Sequence, residues 1–321
     1  MALKLIHGWE VLAADERGAA LAFGNFDGVH QGHQAVIREA LTAARGRGLP
    51  FAVSTFEPHP RRWFQPDAEP FRLMSLGQQA RALEALGVEL FYVLPFDAQV
   101  AEMSDEAFAE TVLGKGLGVR HVAVGFDVTF GKGRTGDVDS LARYGQRLGF
   151  TVSVTRRFGD ADLIPDAADP SLEKYSSSAV REALHAGAVD KAAKVLGRPF
   201  AIEGEVVKGQ QLGRTLGFPT ANVALDDYVV PRLGVYATRT RLPDGRDIPG
   251  AANLGRNPTT GLVEPRLEVF LFDFDEDLYG QVIETDLIHF IRPELKFDGL
   301  DALVKQMGKD CDEARRWTER P

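Results

Sequence analysis

Cysteine is almost absent from this sequence: Cys311 is the single cysteine among 321 residues. One thiol cannot form an intrachain disulfide and cannot build a cysteine-based zinc site. Both exclusions are typical of a protein from a reducing compartment, so we expect a cytoplasmic location. Long apolar runs are also missing. No stretch approaches the ~20 apolar residues of a membrane-spanning helix, and residues 1–11 carry charge, so neither a membrane partner nor a signal peptide is expected.

Positive charge is scarcer than negative charge. The chain has 37 Lys and Arg against 46 Asp and Glu, which gives a net charge of −9 and an isoelectric point of about 5.4. Such an acidic protein is poorly suited to nucleic acid or to an anionic membrane, although it is compatible with a local basic pocket. We therefore expect small-molecule partners. The length favours roughly two domains, and the composition is ordinary for a globular protein.

The first half alternates between helical and β-type patterns. Apolar residues recur at helical spacing in four segments: 36–44, 76–86, 104–112 and 138–148. Short β-type runs separate these segments: Leu21–Phe23, Phe51–Phe56, Leu90–Leu94, Val122–Phe126 and Val152–Thr155. Strands that alternate with helices predict a doubly wound parallel sheet, in which ligands bind at the carboxyl ends of the strands.

The end of the first predicted strand leads to two histidines. His30 and His33 lie three residues apart, after a loop with three glycines and close to a helix predicted to start at about Gln34. Helix N-termini present free N–H groups and partial positive charge, which suit phosphate, and two imidazoles add donors. The pair could instead supply half of a metal site. Phosphate is favoured because no nearby Cys or carboxylate except Asp27 has ligand spacing.

Three further polar stretches follow predicted strands. Thr55–Pro60 follows the second strand, Gly125–Asp127 closes the fourth, and Tyr175–Arg181 opens a helix after the last. Three serine hydroxyls at a helix start, with an arginine one turn later, suit phosphate oxygens. Helix capping would need only one serine, so capping and phosphate binding are both supported at this point.

A glycine pattern at Gly131–Gly136 matches the G-x-G-x-x-G signature of dinucleotide-binding sites. That signature belongs in a tight turn directly after the first strand, whereas this segment lies several residues beyond the fourth. We interpret it as a flexible basic loop that closes over phosphate. A Walker P-loop is excluded, because Gly-Lys is nowhere followed by Ser or Thr.

The pattern changes after a predicted helix at Ala188–Leu196. Short β-type runs follow: Phe200–Val207, Val235–Arg241, Asp247–Asn253, Leu267–Phe272 and Val282–Ile291. Asp244-Gly245 predicts a hairpin turn, and one helical pattern remains around Leu300–Cys311. Many short strands with one terminal helix predict a small closed antiparallel barrel.

A glycine-rich stretch at 209–222 lies within this second region. Glycines allow the backbone to approach phosphates closely. Thr220 and Asn222 lie two residues apart, so their side chains share a face of an extended segment, where a hydroxyl and an amide oxygen can hold Mg²⁺. Composition alone favours an ordinary loop.

Glu268 is a candidate catalytic carboxylate. Alternation in Leu267–Phe272 places Glu268 on the same face as Phe270 and Phe272, opposite the aliphatic side chains. A carboxylate among aromatic residues is unusual on a merely solvated face. The pattern by itself nevertheless favours an ordinary exposed glutamate.

Several motifs together resemble one family. Gly24–His33 with its His-x-Gly-His, Thr-Phe-Glu-Pro-His-Pro at 55–60 and Ser-Ser-Ser-x-x-Arg at 176–181 resemble the nucleotidyltransferase half of the prokaryotic bifunctional riboflavin kinase/FMN adenylyltransferase (FAD synthetase) family. Other nucleotidyltransferases, such as pantetheine-phosphate adenylyltransferase and cytidylyltransferases, share His-x-Gly-His. The second half decides between them, because Pro-Thr-Ala-Asn at 219–222 is similar to the riboflavin kinase motif. Four later segments fit in the same order: Gly234–Tyr236, Asn253–Gly255 with Pro258–Thr259, Asp277–Gly280 and Ile291–Phe297.

This resemblance implies an architecture and two reactions. The expected architecture is a Rossmann-like nucleotidyltransferase domain over 1–186, a linker helix over 187–199 and a β-barrel riboflavin kinase domain with a C-terminal helix over 200–321. The second domain would phosphorylate riboflavin to FMN with ATP. The first would transfer an adenylyl group from ATP to FMN, giving FAD and pyrophosphate. ATP is the implied co-substrate and Mg²⁺ the implied metal, and no oligomeric state is implied.

The resemblance also implies roles for individual residues. Catalytic roles fall to Glu268, His30 and His33. In the adenylyltransferase half, ATP would contact Gly24, Phe26, Asp27, Gly32, Ser176, Ser177, Ser178 and Arg181, and FMN would contact Phe56, His59, Pro60 and Asp127. In the kinase half, ATP would contact Gly209, Gly213, Arg214, Gly217, Thr220 and Asn222, of which Thr220 and Asn222 would hold Mg²⁺, and riboflavin would contact Arg292 and Phe297. Ser178 and Thr129 depart from the family, which usually has threonine and arginine there.

Three rival interpretations stay open. The chain could be a riboflavin kinase without adenylyl transfer, against which the intact His30 and His33 argue. It could act on a non-flavin phosphate such as phosphopantetheine, which would leave the C-terminal motifs unexplained. It could also be a flavin-binding carrier, which would bind flavin without consuming ATP.

Overall fold

A computed structural model describes residues 2–155, 175–209, 217–256 and 265–319. These residues form two compact units. The first unit comprises the described residues of Met1–Ala68 and Leu76–Tyr175, and the second those of Glu69–Ser75 and Ser176–Pro321. The functional boundaries expected at 186 and 199 stay a prediction. A search of the described residues finds no helix with the length and apolar character needed to cross a membrane.

The first unit is built on a six-stranded sheet whose neighbouring strands all run parallel. Its strands are β1 (Lys4–His7), β2 (Ala20–Ala22), β3 (Phe51–Glu57), β4 (Leu90–Pro95), β5 (His121–Gly125) and β6 (Thr151–Thr155), in the order β1-β4-β3-β2-β5-β6. The order reverses at β2, so the ends of β2, β3 and β5 lie side by side. These are the strand ends that precede the histidine, Pro-His-Pro and Asp127 segments.

Helices connect these strands and confirm the predicted alternation. They are α1 (Gln31–Arg47), α2 (Pro60–Phe64), α3 (Leu76–Ala85), α4 (Ala98–Glu102), α5 (Asp105–Phe108) and α6 (Val138–Leu148), with a π-helical stretch at Ala109–Gly116 and short 3₁₀ turns at Ala14–Glu16 and Lys132–Arg134. The apolar face of α1 is buried, as its spacing predicted, and the helix ends at Gly48, whose φ of +62° is left-handed. Burial of such apolar side chains, each contributing ~1.5–3 kcal/mol, fixes α1 against the sheet.

The glycine segment Gly131–Gly136 forms a packed loop. Phe130 and Gly136 form a β-bridge, and the backbone N–H of Lys132 donates to the carbonyl of Met103 at 2.7 Å. The Lys132 ammonium pairs with Glu102. The segment is anchored at several points, and its expected closure over phosphate stays a prediction.

The second unit contains a closed six-stranded barrel, as the sequence predicted. Its strands are β7 (Phe200–Val207), β8 (Ala221–Ala224), β9 (Gly234–Arg241), β10 (Asp247–Arg256), β11 (Pro265–Leu271) and β12 (Val282–Pro293), in the closed order β10-β11-β8-β7-β12-β9. All six pairings are antiparallel. The expected hairpin turn joins β9 to β10, where Gly245 has a φ of +88° and its N–H donates to the carbonyl of Leu242.

The described part of the second unit also contains three helices: α7 (Ser177–Ala186), α8 (Val189–Leu196) and α9 (Leu300–Thr318). The C-terminal helix α9 covers part of the outer face of the barrel. Its Ala314 is fully buried against Ala237, Ala251 and Phe272. The helix α9 therefore covers the part of β9 and β10 that carries Ala237 and Ala251.

The segment Glu69–Ser75 precedes α3 in the chain but packs in the second unit. Phe71, Leu73 and Met74 are buried. The backbone N–H groups of residues 71 and 72 donate to the carbonyl of Asp227 at 3.0 and 2.8 Å. This segment therefore forms part of the second unit, although it lies far from the barrel in sequence.

Candidate active sites

The histidine pair lies at the start of α1. His30 is the N-cap of the helix, and its Nδ1 accepts a hydrogen bond from the backbone N–H of His33 at 3.2 Å. The two rings stack with their centroids 3.5 Å apart, and the ring of Phe26 meets His33 edge-on at 5.2 Å. The helix therefore begins at Gln31 and not at Gln34. The prediction of the start was wrong because histidine, which is not among the preferred capping residues, provides the cap.

The loop before α1 holds its backbone in a strained conformation. Phe26 and Val29 have φ angles of +50° and +41° and are buried. A non-glycine residue at positive φ costs ~1–3 kcal/mol, and such residues cluster at functional sites. Asp27 lies half-buried between them. The backbone of this loop is thus held by the surrounding structure.

The two predicted phosphate-binding glycines of this loop have little space beside them. A Cβ on Gly32 would lie 2.8 Å from the carbonyl oxygen of Tyr175 and 3.1 Å from the ring of His30. A Cβ on Gly24 would lie 3.2 Å from the ring of Phe26. Close approach of backbone and rings therefore requires glycine at position 32, and it favours glycine at position 24.

The predicted FMN-binding residues adjoin this loop. Phe56 lies near the end of β3, Pro60 is the first residue of α2, and His59 caps α2 by accepting the N–H of Arg61 on Nδ1 at 3.1 Å. The other ring nitrogen of His59 lies 3.4 Å from the side-chain amide of Asn25. The second predicted loop thus contacts the histidine loop through the side chain of His59, which the sequence did not indicate.

An aromatic cluster next to these residues was missed by sequence reasoning. Phe96 packs against Phe56, Phe64 and Trp63, with ring centroids 5.5, 5.7 and 6.4 Å apart. Phe64 is 66% exposed and Trp63 is 40% exposed. Exposed aromatic side chains beside a polar loop suit a planar ligand. The signal available in the sequence was Trp63-Phe64, separated from Pro-His-Pro by two residues.

Asp127 lies on an exposed turn after β5. The N–H of Val128 donates to the carbonyl of Gly125 at 3.2 Å and closes the turn. Since β5 pairs with β2, this turn follows the strand next to the one that leads to the histidine loop. Its predicted contact with FMN stays a prediction.

The serine run opens α7 in the second unit. Ser176 is the N-cap, and its Oγ accepts the N–H of Ala179 at 3.2 Å, so the capping interpretation holds for this one serine. Ser177 is half-buried and Ser178 is exposed. Arg181 donates from Nε to the carbonyl of Phe71 at 2.7 Å. Phosphate binding by the run and by Arg181 stays a prediction.

The barrel brings two predicted residues together with a third. In the strand register, Glu268 of β11 lies directly opposite Asn222 of β8 and Asn253 of β10. Directly opposed residues share a face of the sheet, with Cβ atoms ~4.5–5.5 Å apart. The sequence did not predict β8 as a strand, and Asn253 was not among the candidate residues. We call this the Asn–Glu–Asn row.

Glu268 lies half-buried within this row. Burial raises the pKa of its carboxyl above the usual range, and the positive charge of Arg266 opposes part of that rise. Phe270, two residues on, packs against Phe218 with ring centroids 5.3 Å apart. The strand β11 confirms the predicted alternation, which places Glu268 on the same face as Phe270.

A cavity of about 340 Å³ opens beside Asn222. Its lining includes the predicted residues Gly209, Thr220 and Asn222, and the segment Phe274–Tyr279. A Cβ on Gly209 would lie 2.6 Å from the amide of Asn222, so the backbone of residue 209 rests on that side chain. The volume is within the usual range for a small-molecule site.

The same residues fit a hard cation. Thr220 precedes β8, and Nδ2 of Asn222 donates to the Thr220 carbonyl at 3.3 Å, which leaves the amide oxygen of Asn222 available as a ligand. A hydroxyl and an amide oxygen are the neutral oxygen ligands that Mg²⁺ accepts alongside phosphates. Among the described residues, no group of three His, Cys, Asp or Glu side chains could hold a metal ion. The fit therefore depends on Thr220 and Asn222.

Arg292 lies near the end of β12, and Phe297 follows that strand. The guanidinium of Arg292 forms a bidentate ion pair with the buried carboxylate of Asp310, at 2.9 and 2.6 Å, and lies 5.8 Å from the ring centroid of Phe297. Arg292 thus connects the barrel to α9. Contact of both residues with riboflavin stays a prediction. Gly217 has a φ of +87°, and the predicted residues Gly213 and Arg214 lie outside the described residues.

A histidine-capped helix N-terminus at a parallel-sheet edge suits a phosphate group, and a half-buried carboxylate between two amides on a barrel suits a base. The two sites are compatible with an enzyme that transfers phosphate-containing groups. Family models identify the two parts. Residues 12–164 match the family described as FAD synthetase, and residues 196–318 match the family described as riboflavin kinase. The chain belongs to the bifunctional riboflavin kinase/FMN adenylyltransferase family, as its motifs indicated.

Full-length relatives agree with this assignment. The chain is 40% identical to the bifunctional riboflavin kinase/FMN adenylyltransferase of Haemophilus influenzae over 98% of both chains, and 40% identical to that of Escherichia coli K12 over 98% of both. A solved structure named macrolide-efflux protein, from Streptococcus pneumoniae, superposes with a TM-score of 0.82 at 31% identity over 98% of this chain and 99% of that one. The described architecture is therefore shared over nearly the whole chain.

Proposed function

We propose that this protein makes FMN and FAD in two ATP-dependent steps. The barrel unit phosphorylates riboflavin, and the parallel-sheet unit then transfers an adenylyl group from ATP to FMN, releasing pyrophosphate. The observation that carries this proposal is the separation of two kinds of chemistry. Donor groups surround a helix N-terminus in one unit, and a buried carboxylate lies beside two amides in the other.

Adenylyl transfer needs positioning and charge stabilisation. The attacking phosphate of FMN is already an anion, so it needs no base. Because Nδ1 of His30 accepts the N–H of His33, the neutral ring carries its hydrogen on Nε2 and can donate it to a phosphate oxygen. The N–H groups at the start of α1 and the ring of His33 add further donors in this unit, and the ATP contacts of Ser177, Ser178 and Arg181 stay predictions. Loss of one such donor typically lowers the rate by ~10²–10³.

Phosphorylation of riboflavin needs a base. The attacking ribityl hydroxyl is a weak nucleophile, and a carboxylate whose pKa is raised by burial is a stronger base than an ordinary glutamate. Glu268 orients this hydroxyl and removes its proton as the oxygen attacks the γ-phosphorus of ATP, whose bond to the β,γ-bridging oxygen breaks so that ADP leaves. Thr220 and Asn222 would hold Mg²⁺, which would offset the negative charge of the phosphates.

The character of the surrounding residues, whether apolar, aromatic or glycine-rich, decides where each substrate is placed. ATP of the kinase step fits the cavity beside Gly209 and Asn222, where apolar Phe274, Leu278 and Tyr279 face the adenine and glycine backbone faces the phosphates. FMN of the second step fits the loop of Phe56, His59 and Pro60, with the exposed Phe64 and Trp63 beside it. Asp127, Arg292 and Phe297 keep their proposed flavin contacts.

Flavin analysis tests the proposal. The full chain is incubated with riboflavin, ATP and Mg²⁺, and the flavins are separated over time. We expect FMN to rise first and FAD to follow, with pyrophosphate formed in proportion to FAD. FMN alone would favour a kinase without adenylyl transfer. Bound riboflavin without ATP consumption would favour a carrier, and conversion of phosphopantetheine would favour a different transferase.

A further inference from the structure

Asn25 is a polar side chain at the edge of the parallel sheet that the proposed mechanism does not use. We propose that it is a positioning residue for adenylyl transfer, which accepts the Nε2 hydrogen of His59 and so holds that ring in one orientation. This inference rests on the proposed function. It starts from the two nitrogens of His59, which have different partners.

The first nitrogen of His59 fixes the protonation of the second. Nδ1 accepts the backbone N–H of Arg61 at 3.1 Å, which caps α2. A ring nitrogen that accepts a hydrogen bond carries no hydrogen, so the neutral imidazole carries it on Nε2. Nε2 of His59 is therefore a donor, and it needs an acceptor.

The side-chain amide of Asn25 lies 3.4 Å from this donor. With its own nitrogen turned toward His59, two donors would face each other. Turning the amide about its last bond removes this conflict, because Oδ1 then accepts the Nε2 hydrogen. The hydrogen-bond network therefore assigns this orientation.

The backbone of Asn25 is held in place from two further directions. Its carbonyl accepts hydrogen bonds from Oγ1 of Thr55 at 3.0 Å and from Nε2 of Gln79 at 2.7 Å, and both donors are buried. Asn25 thus connects the histidine loop to β3 and α3, and its side chain connects it to α2. With both nitrogens engaged, His59 presents the face and the C–H edge of its ring to a ligand.

A double-mutant cycle tests this role in the full chain. Asn25→Leu removes the acceptor at similar size, Asn25→Asp keeps an oxygen acceptor, and each is made with and without His59→Ala. We expect Asn25→Leu to raise the KM for FMN by about 5- to 30-fold with little change in kcat, as loss of one buried hydrogen bond predicts. Asn25→Asp should recover most of the affinity. In the His59→Ala background, Asn25→Leu should have no further effect.

Circular dichroism and thermal unfolding report whether each variant is folded, and riboflavin phosphorylation by the same preparations reports whether the barrel unit is unaffected. An equal loss from Asn25→Leu with and without His59 would overturn the proposal, as would an equal loss from Asn25→Leu and Asn25→Asp. A rise confined to the KM for ATP would also overturn it. If the protein without substitutions makes no FAD, the proposed function fails. A second measurement, which does not depend on activity, then tests the contact between Asn25 and His59. Nitrogen-15 spectra of labelled histidines should show His59 with hydrogen on Nε2, and the Nε2 signal should shift in Asn25→Leu because its hydrogen bond is lost. Hydrogen on Nδ1 in the unsubstituted protein would overturn the proposal.

Discussion

The two candidate sites differ in the secondary structure that forms them and in the chemical groups that they present. The first site consists of a helix end with two stacked imidazoles, where His30 and the backbone N–H groups offer donors. The second is a row across three antiparallel strands, where Glu268 lies between two amides. A helix N-terminus supplies positive potential without a charged side chain, whereas a sheet register aligns side chains with each other. Each architecture matches the nucleophile assigned to it.

The largest expected effect comes from removing the carboxylate of the barrel. Glu268→Gln keeps size and polarity but cannot accept a proton, so we expect the rate of riboflavin phosphorylation to fall by ~10²–10⁴. FAD formation from supplied FMN should be unchanged, because that step uses no base. Both rates are measured on one preparation by separation of the flavins. Loss of both activities in a folded variant would contradict the comparison.

The next effect comes from removing one imidazole while keeping the helix cap. Asparagine is among the best capping residues, so His30→Asn removes the ring donor and leaves α1 capped. We expect FAD formation to fall by ~10²–10³ and FMN formation to stay within about twofold. A variant that retains full FAD formation would show that the cap, and not the imidazole, is what the site needs.

The rate of riboflavin phosphorylation at acid pH should depend on the protonation of Glu268, if Glu268 is the base. Its carboxylate form is required, and burial raises its pKa, so the kinase rate should fall about tenfold per pH unit on an acid limb above the ~4.3 of ordinary glutamate. The residual rate of Glu268→Gln should lack this limb. A limb that persists in the Gln variant would assign the titration to another group.

A matched pair of glycine substitutions should separate the sites with smaller effects. Gly32→Ala adds a Cβ 2.8 Å from the Tyr175 carbonyl, and Gly209→Ala adds one 2.6 Å from the Asn222 amide. Overpacking of this kind costs ~1–3 kcal/mol, so we expect about a tenfold loss of adenylyl transfer from the first and of riboflavin phosphorylation from the second. Each variant is the control for the other. Crossed or equal losses would contradict the assignment.

Asp286 is a second barrel carboxylate with a raised pKa, and the proposed mechanism does not use it. Burial first, and then the charge of Glu284, raises its pKa to about 6. The unfolded value is ~3.9, so this group lowers stability as pH rises from about 4 through about 6. Asp286→Asn should therefore add about 1–2 kcal/mol to the unfolding free energy at about pH 7.5 and nothing at about pH 4. Denaturant unfolding checks this result, and turnover of both reactions should not change.

Sequence patterns predicted the α/β unit and the barrel because their elements are periodic. The five strands predicted for the first unit are present, and the barrel strands begin and end within a few residues of their predicted bounds. The short strands β1 and β8 were missed, since four residues give little periodicity, and β8 directly follows a Gly/Pro-rich stretch. Family motifs identified both halves, which the family models confirm.

The contacts that define each site depended on distant pairings. Asn253 lies 31 residues from Asn222, and only the barrel register places both beside Glu268. Asn25 meets His59 because β2 and β3 are neighbours in the sheet. Such pairings depend on the packing of the whole fold, so no local sequence pattern predicts them. The individual roles of these residues in catalysis stay predictions.

The segment Glu69–Ser75 has a consequence for how the protein can be divided. A gene fragment that starts at residue 187 would encode the barrel without this segment. The second unit would then lack Phe71, Leu73 and Met74, which are buried in it in the full chain. A fragment that ends at residue 186 would carry the same three side chains into solvent. The two halves are thus interleaved along the chain, and exchanging either one between relatives would require transplanting a piece of the other.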